Sequence, residues 1–343
     1  MVIKSLLVTS DRIGSSGATV TGYEYKALKS LGEAEVLNPE PMADPFETDQ
    51  IAVNLYKRLN KKFDLVHFYA GTYSKLIDLI KSDGSKVTYT AAAHDINESR
   101  DEHLILGYAY DYKHLTDPGL FNEYVRGYKS ADVVICPSHH SLNCMSSYGC
   151  NNMVVIPHGC EPPTYLRPIH GRFTVGYLGA IGPDKGLIYL IMAWAKLNYK
   201  DAQLVIAGKA SLQLMDMVRS YGRGSIFLAG YIDKISDFYN NISVYVQPSV
   251  TEGFGMEIVE AMAHGRPVIC SDGVGAVDCV NQNTGMIFKK RSIDELANCI
   301  NNYKHDNSLL LEHGGAAKNL ARGYYWDDIL QRYVKLWKDL IHV

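Results

Sequence analysis

The chain has 343 residues, 47% hydrophobic and 21% charged, the balance of a soluble globular protein long enough for two domains of ordinary size. Its formal net charge of -3 sets aside a general nucleic-acid binder, which would carry a basic surplus. The cysteines are Cys136, Cys144, Cys150, Cys160, Cys270, Cys279 and Cys299, an odd number with no C-x-x-C pair. They read as buried free thiols in a reducing compartment, not as a disulfide framework or a zinc site.

The first ten residues run straight into a strand-like segment. They have no basic start, no long apolar stretch and no small-residue cleavage site, so no signal peptide is expected. Nor does any stretch approach the roughly 18 apolar residues of a spanning helix. A cytoplasmic location is expected, with peripheral membrane contact left open. Short runs rich in Val, Ile and Tyr then recur at 3–9, 35–37, 65–69, 87–92, 133–136 and 154–156. The segment 161–171, EPPTYLRPIHG, follows with three prolines and reads as a stiff connector. Strand-like runs resume at 174–178, 204–207, 226–228, 244–247, 268–270 and 286–288, with helical patterns between them such as 187–197 and 257–263. Apolar strands separated by helices mean a parallel sheet covered on both faces. The pattern occurs twice, which predicts two doubly wound α/β domains. At the end, 326–343 reads WDDILQRYVKLWKDLIHV. Ile329, Tyr333, Leu336, Trp337 and Leu340 recur at three- and four-residue spacing, the pattern of an amphipathic helix docked on the protein.

Most of the chemistry concentrates in 251–272, TEGFGMEIVEAMAHGRPVICSD. A strand ending near Gln247 leads through a Gly-Phe-Gly loop into a short helix that starts at Met256 or Glu257. Gly265 ends that helix and Pro267 stops any continuation. A loop entering a helix N-terminus is an anion site, because its free N–H groups and positive dipole end favour phosphate. Gly253 and Gly255 let the backbone approach a ligand closely. Glu252 stands just before the loop, and Glu260 lies about one turn inside the helix with its side chain leaning toward the N-terminus. Carboxylates repel phosphate, so their partners would be hydroxyls. A sugar nucleotide fits this arrangement, with diphosphate at the amides, sugar on one side and ribose on the other. The plainer alternative is two solvated glutamates at a helix start.

Glu252-x7-Glu260 within EGFGxxxxEAMAxGxPVI resembles the signature of the retaining glycosyltransferase family 4. The resemblance implies a GT-B fold, α/β, with two Rossmann-like doubly wound parallel-sheet domains facing across a cleft. Residues 1–165, with the C-terminal helix 326–343, would form the acceptor-side domain, and 172–325 the donor domain. It also implies that Glu252 contacts the donor sugar and Glu260 the ribose. The backbone of Phe254, Gly255, Met256 and Glu257 would line the sugar and diphosphate. Glu257 departs from the family, where that place is usually apolar, and its side chain would have to point away from phosphate.

Other segments extend the likeness. Tyr177 to Gly186, YLGAIGPDKG, resembles the family's strand-loop-helix with a Gly-Arg and a Lys-Gly pair. Lys185 then corresponds to the lysine on the donor diphosphate, while Ala180 stands where the arginine is usual, leaving Arg172 or Lys209 as candidate substitutes. His94 in AAAHDI corresponds to a histidine at a strand end that approaches the donor sugar and phosphate, and His67 reads as structural. In the first loop, 10–21, Gly17 is the candidate for close approach to donor phosphate or acceptor, against a helix-start glycine with no ligand. Asp278 stands near the place of a family glutamate. Backbone near Gly208 and Tyr231 is the candidate for holding the base.

The implied activity is transfer of a sugar from a UDP- or GDP-sugar to an unidentified glycan, lipid or protein acceptor, with retention at the anomeric carbon. No Asp-x-Asp motif is present, so no obligatory metal or other cofactor is expected. Two alternatives stand beside it: a catalytically degenerate nucleotide-sugar-binding subunit, which Ala180 motivates, and a sugar-nucleotide epimerase on the same fold. Tyr108, Tyr110 and Tyr112 alternate in GYAYDY and read either as a stacking surface for sugar rings or as ordinary packing.

Overall fold

The computed structural model describes residues 2–10, 20–40, 42, 45–69, 71, 73–91, 93–108, 117–209, 212–221 and 224–341. Gly17, Tyr110 and Tyr112 therefore lie outside the described residues. Contacts divide the chain into two units: Met1–Ala93, Asp111–His158 and Trp326–Val343 form one, and His94–Tyr110 with Gly159–Tyr325 the other.

In the first unit, strands β1 (Ile3–Val8), β2 (Gly32–Leu37), β3 (Leu65–Tyr69), β4 (Lys86–Thr90), β5 (Val133–Cys136) and β6 (Met153–Val155) form one sheet in the order β2-β1-β3-β4-β5-β6. Every neighbouring pair is parallel. The connecting helices are α1 (Val20–Leu31), α2 (Pro45–Leu59), α3 (Ser74–Ser82), α4 (Ile96–Ile105), α5 (Pro118–Ser130) and α6 (His139–Ser147), of which α4 packs with the second unit. The central strands β3 and β4 are buried on both faces, as a sheet covered on both sides requires. Leu6, Val66, Phe68, Val87, Tyr89 and Val134 meet Leu76, Ile77 and Ile80 of α3 in one core.

The second unit repeats the plan. Its elements are β7 (Phe173–Leu178), α7 (Leu187–Leu197), β8 (Ala202–Ala207), α8 (Leu212–Tyr221), β9 (Ile226–Gly230), α9 (Ile235–Asn240), β10 (Val244–Gln247), α10 (Met256–Ala263), β11 (Val268–Ser271), β12 (Gly285–Phe288), α11 (Ile293–His305) and α12 (Asn307–Ala321). The sheet order is β12-β11-β10-β7-β8-β9, again all parallel. The order reverses beside β7 and β10, and the crevice at the carboxyl ends of such strands is where α/β sheets take ligands.

The last helix, α13 (Trp326–Ile341), returns to the first unit. It buries Trp326, Ile329, Leu330, Tyr333 and Trp337. Trp326 stacks on Tyr23 of α1 with ring centroids 4.2 Å apart, and the fully buried Trp337 donates to the Thr88 hydroxyl at 3.1 Å. The same Thr88 hydroxyl lies 2.9 Å from Nδ1 of His67, whose Nε2 faces the Glu24 carboxylate at 3.3 Å. His67 is completely buried in this network and belongs to the fold.

Residues 94–108, which chain order alone would leave with the first sheet, pack with the second unit for an electrostatic reason. Lys290 pairs with Glu98 at 2.6 Å, and Arg291 pairs with Glu102 at 2.7 Å. The Tyr189 hydroxyl adds a 2.6 Å bond to Glu102. The Glu102 side chain is fully buried, so these two donors stabilise a carboxylate that could not stand unpaired there.

Among the described residues, no helix is long and apolar enough to cross a membrane. Six of the seven cysteines are buried and all seven are free thiols, in line with their expected state.

Candidate active site

At the carboxyl end of β10 the chain passes through Ser249, Val250 and Thr251 to Glu252, then through Gly253, Phe254 and Gly255 into α10. Gly255 stands at the cap with φ of 93°, a left-handed conformation that turns the loop into the helix. Phe254 is buried in the apolar core of this unit, while its carbonyl accepts from the Ala276 amide at 2.6 Å. Glu252 is fixed by its backbone, donating to the Gly273 carbonyl at 3.0 Å and accepting from the Gly275 amide at 2.9 Å. The loop is therefore held by backbone bonds to the segment that follows β11.

A second loop, between β7 and α7, meets it. Gly186 has φ of 65°, and a β-carbon there would overlap the Pro248 carbonyl oxygen, so only glycine lets the two loops approach. The Val250 amide donates to the Asp184 carbonyl at 2.7 Å. This contact carries Lys185 to Glu252, and its ammonium pairs with the Glu252 carboxylate. The two side chains are only 23% and 20% exposed, which sets the pair apart from a solvated surface contact. Burial acts to lower the Lys185 pKa, but Glu252, Asp184 and Glu257 together hold it above the ordinary lysine range.

His94 completes the group. Asp95 donates its amide to the Thr251 hydroxyl at 2.9 Å and caps α4 by accepting from the Glu98 amide at 3.0 Å, which fixes the segment beside Glu252. Burial pushes the His94 imidazole below its ordinary pKa. Asp184 and Glu252 oppose that shift, and Lys185 adds to it. The imidazole is thus kept neutral at neutral pH beside a lysine and two carboxylates.

Glu260, one turn into α10, accepts from the Tyr239 hydroxyl at 2.7 Å. Burial raises its pKa and the tyrosine bond works against that rise. Glu257 lies between these glutamates, with its carboxyl turned against Gly179 of the lysine-bearing loop: a β-carbon on Gly179 would sit 3.4 Å from Oε1. Burial, then Glu252 and Glu260, raise its pKa to about 7. Met256 is half-buried at the head of the helix.

The remaining sequence candidates are more dispersed. Gly208 lies where the turns after β7 and β8 cross, and a β-carbon there would overlap the Gly179 carbonyl oxygen, so packing alone accounts for a glycine. Tyr231 is 79% exposed at the end of β9. Asp278 is exposed on a short helical turn, Gly275–Cys279. Arg172 is not a stand-in for the missing arginine. It precedes β7, a six-residue strand away from Ala180, and spends its guanidinium on the carbonyls of Lys200 and Ala202. Lys209 is exposed just after β8. Tyr239, Thr251 and the pairs at Glu98 and Glu102 were not legible as site residues. Their partners lie 21, 156, 192 and 189 positions away, and no local pattern announces them.

Residues 172–306, spanning the lysine loop, both glutamates and most of the second sheet, match the family of glycosyl transferases group 1. This segment belongs to that family. Over a longer stretch the chain is 26% identical across 333 residues to the uncharacterized glycosyltransferase MJ1178 of Methanocaldococcus jannaschii, covering 94% of this chain and 89% of that protein. It is also 28% identical across 187 residues to the capsular polysaccharide biosynthesis glycosyltransferase CapM of Staphylococcus aureus, covering 51% of this chain. Only about half of CapM, 49%, is spanned by that match. Among solved structures, sucrose-phosphate synthase from Thermosynechococcus elongatus superposes with a TM-score of 0.81 at 18% identity, covering 99% of both chains. Anabaena Alr3699/HepE in complex with UDP and glucose superposes at 0.72 and 19% identity, covering 98% of this chain and 100% of that one. At these identities the likeness speaks for the fold alone, which is GT-B.

Proposed function

We propose that this group 1 glycosyltransferase is a retaining family 4 enzyme. It would move a sugar, hexose-like in size, from a UDP- or GDP-sugar to a hydroxyl of an unidentified glycan, lipid or protein acceptor. The reading rests on one observation above others, the Lys185–Glu252 pair at the mouth of α10 with His94 beside it. An ammonium paired to a carboxylate is a site waiting for exchange. When a diphosphate arrives, Lys185 turns to its oxygens, and Glu252 is released to accept from a sugar hydroxyl. The first amides of α10 add fixed donors to the same phosphates. Glu260, oriented by Tyr239, is placed for a ribose hydroxyl. The names of the relatives support carbohydrate biosynthesis, and the HepE complex with UDP supports a uridine donor.

In the chemical step the bond between the anomeric carbon and the leaving phosphate oxygen breaks. Charge develops on that oxygen, where Lys185 and the helix end stabilise it. The acceptor hydroxyl attacks from the same face and passes its proton to the leaving phosphate, so the configuration is retained. Neutral His94 donates a hydrogen bond to the donor across this site. Glu252 orients the sugar and is not required as a nucleophile. In this reading residues 172–325, with 94–108 packed on them, form the donor domain, the rest of 1–165 with 326–343 the acceptor-side domain, and the enzyme works in the cytoplasm. The match to glycosyl transferases group 1 favours a transferase over an epimerase or a binding subunit.

Proton NMR of a turning-over α-linked donor tests the reading. The first-formed sugar product should carry the α configuration of the donor. A β product appearing first would overturn retention, and an epimerised donor with nucleotide still attached would overturn transfer.

A further inference from the structure

The donor-side loops carry an uneven charge. Glu252, Glu257 and Glu260 lie on one short segment, and Asp184 stands beside Lys185. Lys185 is already paired with Glu252. Where an arginine is usual in the family that the chain resembles, Ala180 offers a methyl group. A diphosphate brings two more negative charges to this place. Among the described residues, no three acidic, histidine or cysteine side chains are grouped to hold a metal that would neutralise them.

Glu257 occupies the flank of the loop that carries Ala180. Its carboxyl lies against Gly179, the neighbour of Ala180. That loop is closed from below by the Tyr177 hydroxyl, which donates to the Ala180 carbonyl at 2.5 Å. Glu252 faces Glu257 from the loop before the helix, Glu260 from its own helix, and Lys185 from the turn Pro183–Lys185. The phenols of Tyr177, Tyr239 and Tyr245 face it from β7, α9 and β10, and burial keeps all three neutral. Asp184 acts on Tyr177 and His94 from the same turn as Lys185. Two carboxylates and one ammonium, paired with Glu252 in the free protein, thus surround the group. Consistent with that environment, its pKa is raised to about 7.

We propose, on the strength of the donor reading, that Glu257 is a positioning residue that meets the donor diphosphate as a neutral acid. Its O–H donates a hydrogen bond to a phosphate oxygen on the side where the arginine is missing. A carboxylate has no proton to donate and repels the phosphate, whereas the acid offers one donor without charge. Donor binding is then coupled to proton uptake, a coupling that an arginine at the same place would not have.

Calorimetry with UDP-glucose and GDP-mannose as probes tests this from about pH 6 to about pH 9, since their diphosphates are diesters with no ionisation in that range. For the probe that binds, Kd of the wild type should rise about tenfold per pH unit above about pH 7, with proton uptake visible across buffers of different ionisation heat. Glu257→Gln keeps an N–H donor and never ionises. It should bind with a flat profile and about tenfold tighter than wild type near pH 8. Glu257→Ala should also be flat but several-fold weaker than Glu257→Gln. His94 and Glu260 are unchanged in all three proteins, so differences between profiles report Glu257. Equal slopes in wild type and Glu257→Gln, or equal affinities for the Gln and Ala variants, would overturn the inference while leaving the donor reading intact. No binding of either probe by any of the three proteins at any pH would overturn the donor reading and the inference with it.

Discussion

Replacing Lys185 by methionine removes one charge and shortens the unbranched side chain only by its terminal ammonium. In the free protein the change strands Glu252, about one-fifth exposed, among Glu257 and Asp184. A solvated ion pair contributes about 0–1 kcal/mol, and breaking a fully buried one costs about 3–5 kcal/mol. With four-fifths of each side chain shielded, the expected loss of stability lies between, about 1–3 kcal/mol. Turnover should fall further. Losing a preorganised group that faces developing charge costs about 10²–10³ in kcat. The two effects separate in a double-mutant cycle with Glu252→Gln. In denaturant unfolding the second substitution should restore most of the lost stability, because it removes the stranded charge. In a nucleotide-release assay it should restore nothing, because lysine and glutamate face different parts of the donor. A double mutant that regained turnover, or a Lys185→Met enzyme within about threefold of wild type, would refute the exchange of partners on which the site is built.

Other substitutions probe separate links. Gly186→Ala forces a β-carbon into the Pro248 carbonyl at a left-handed φ of 65°, and thermal melts should show a loss of at least about 2 kcal/mol with donor turnover largely abolished; an unchanged Tm would contradict the contact. Tyr239→Phe removes the hydroxyl that orients Glu260, so donor affinity by calorimetry should fall about fivefold with little change in kcat. Trp337→Ala empties a fully buried site in α13 and should cost about 3–5 kcal/mol in denaturant unfolding. The acid at Glu257 also predicts a stability profile. Its folded pKa of about 7 lies above the ordinary glutamate value of 4.5, so the folded state binds more protons between those values and stability falls as pH rises through that window. Glu257→Gln should therefore raise Tm near pH 8 and leave it little changed near pH 4.5, and the opposite order would contradict the assignment.

The fold was legible because its signal is local. Runs such as 65–69 and 244–247 are predominantly apolar, and the structure has β3 and β10 at those residues. At the edge of the first sheet the signal weakened: β2 begins at Gly32, three residues before its apolar run, because register with Ile3 extends the pairing into polar sequence. The helix after the Gly-Phe-Gly loop was legible from Gly255 and Gly265, which sit at its two ends with positive φ. What escaped the sequence was long-range. Nothing local to Glu98 and Glu102 marks them as partners of Lys290 and Arg291, so the second unit's hold on α4 could not be read. Gly208, read as a base-binding position, has a packing reason visible only when the turns after β7 and β8 are seen to cross. The meaning of Glu257 escaped for the same cause, since it depends on which loop its carboxyl meets.

The measurement that tests the central claim most directly is a panel of uridine, guanosine and adenosine diphosphate sugars, read by calorimetry and by nucleotide release, with Glu252→Ala as control. The account predicts selective binding of one nucleotide class and slow release that Glu252→Ala lowers by about 10²-fold or more. No binding of any donor, or release that proceeds unchanged in Glu252→Ala, would contradict it.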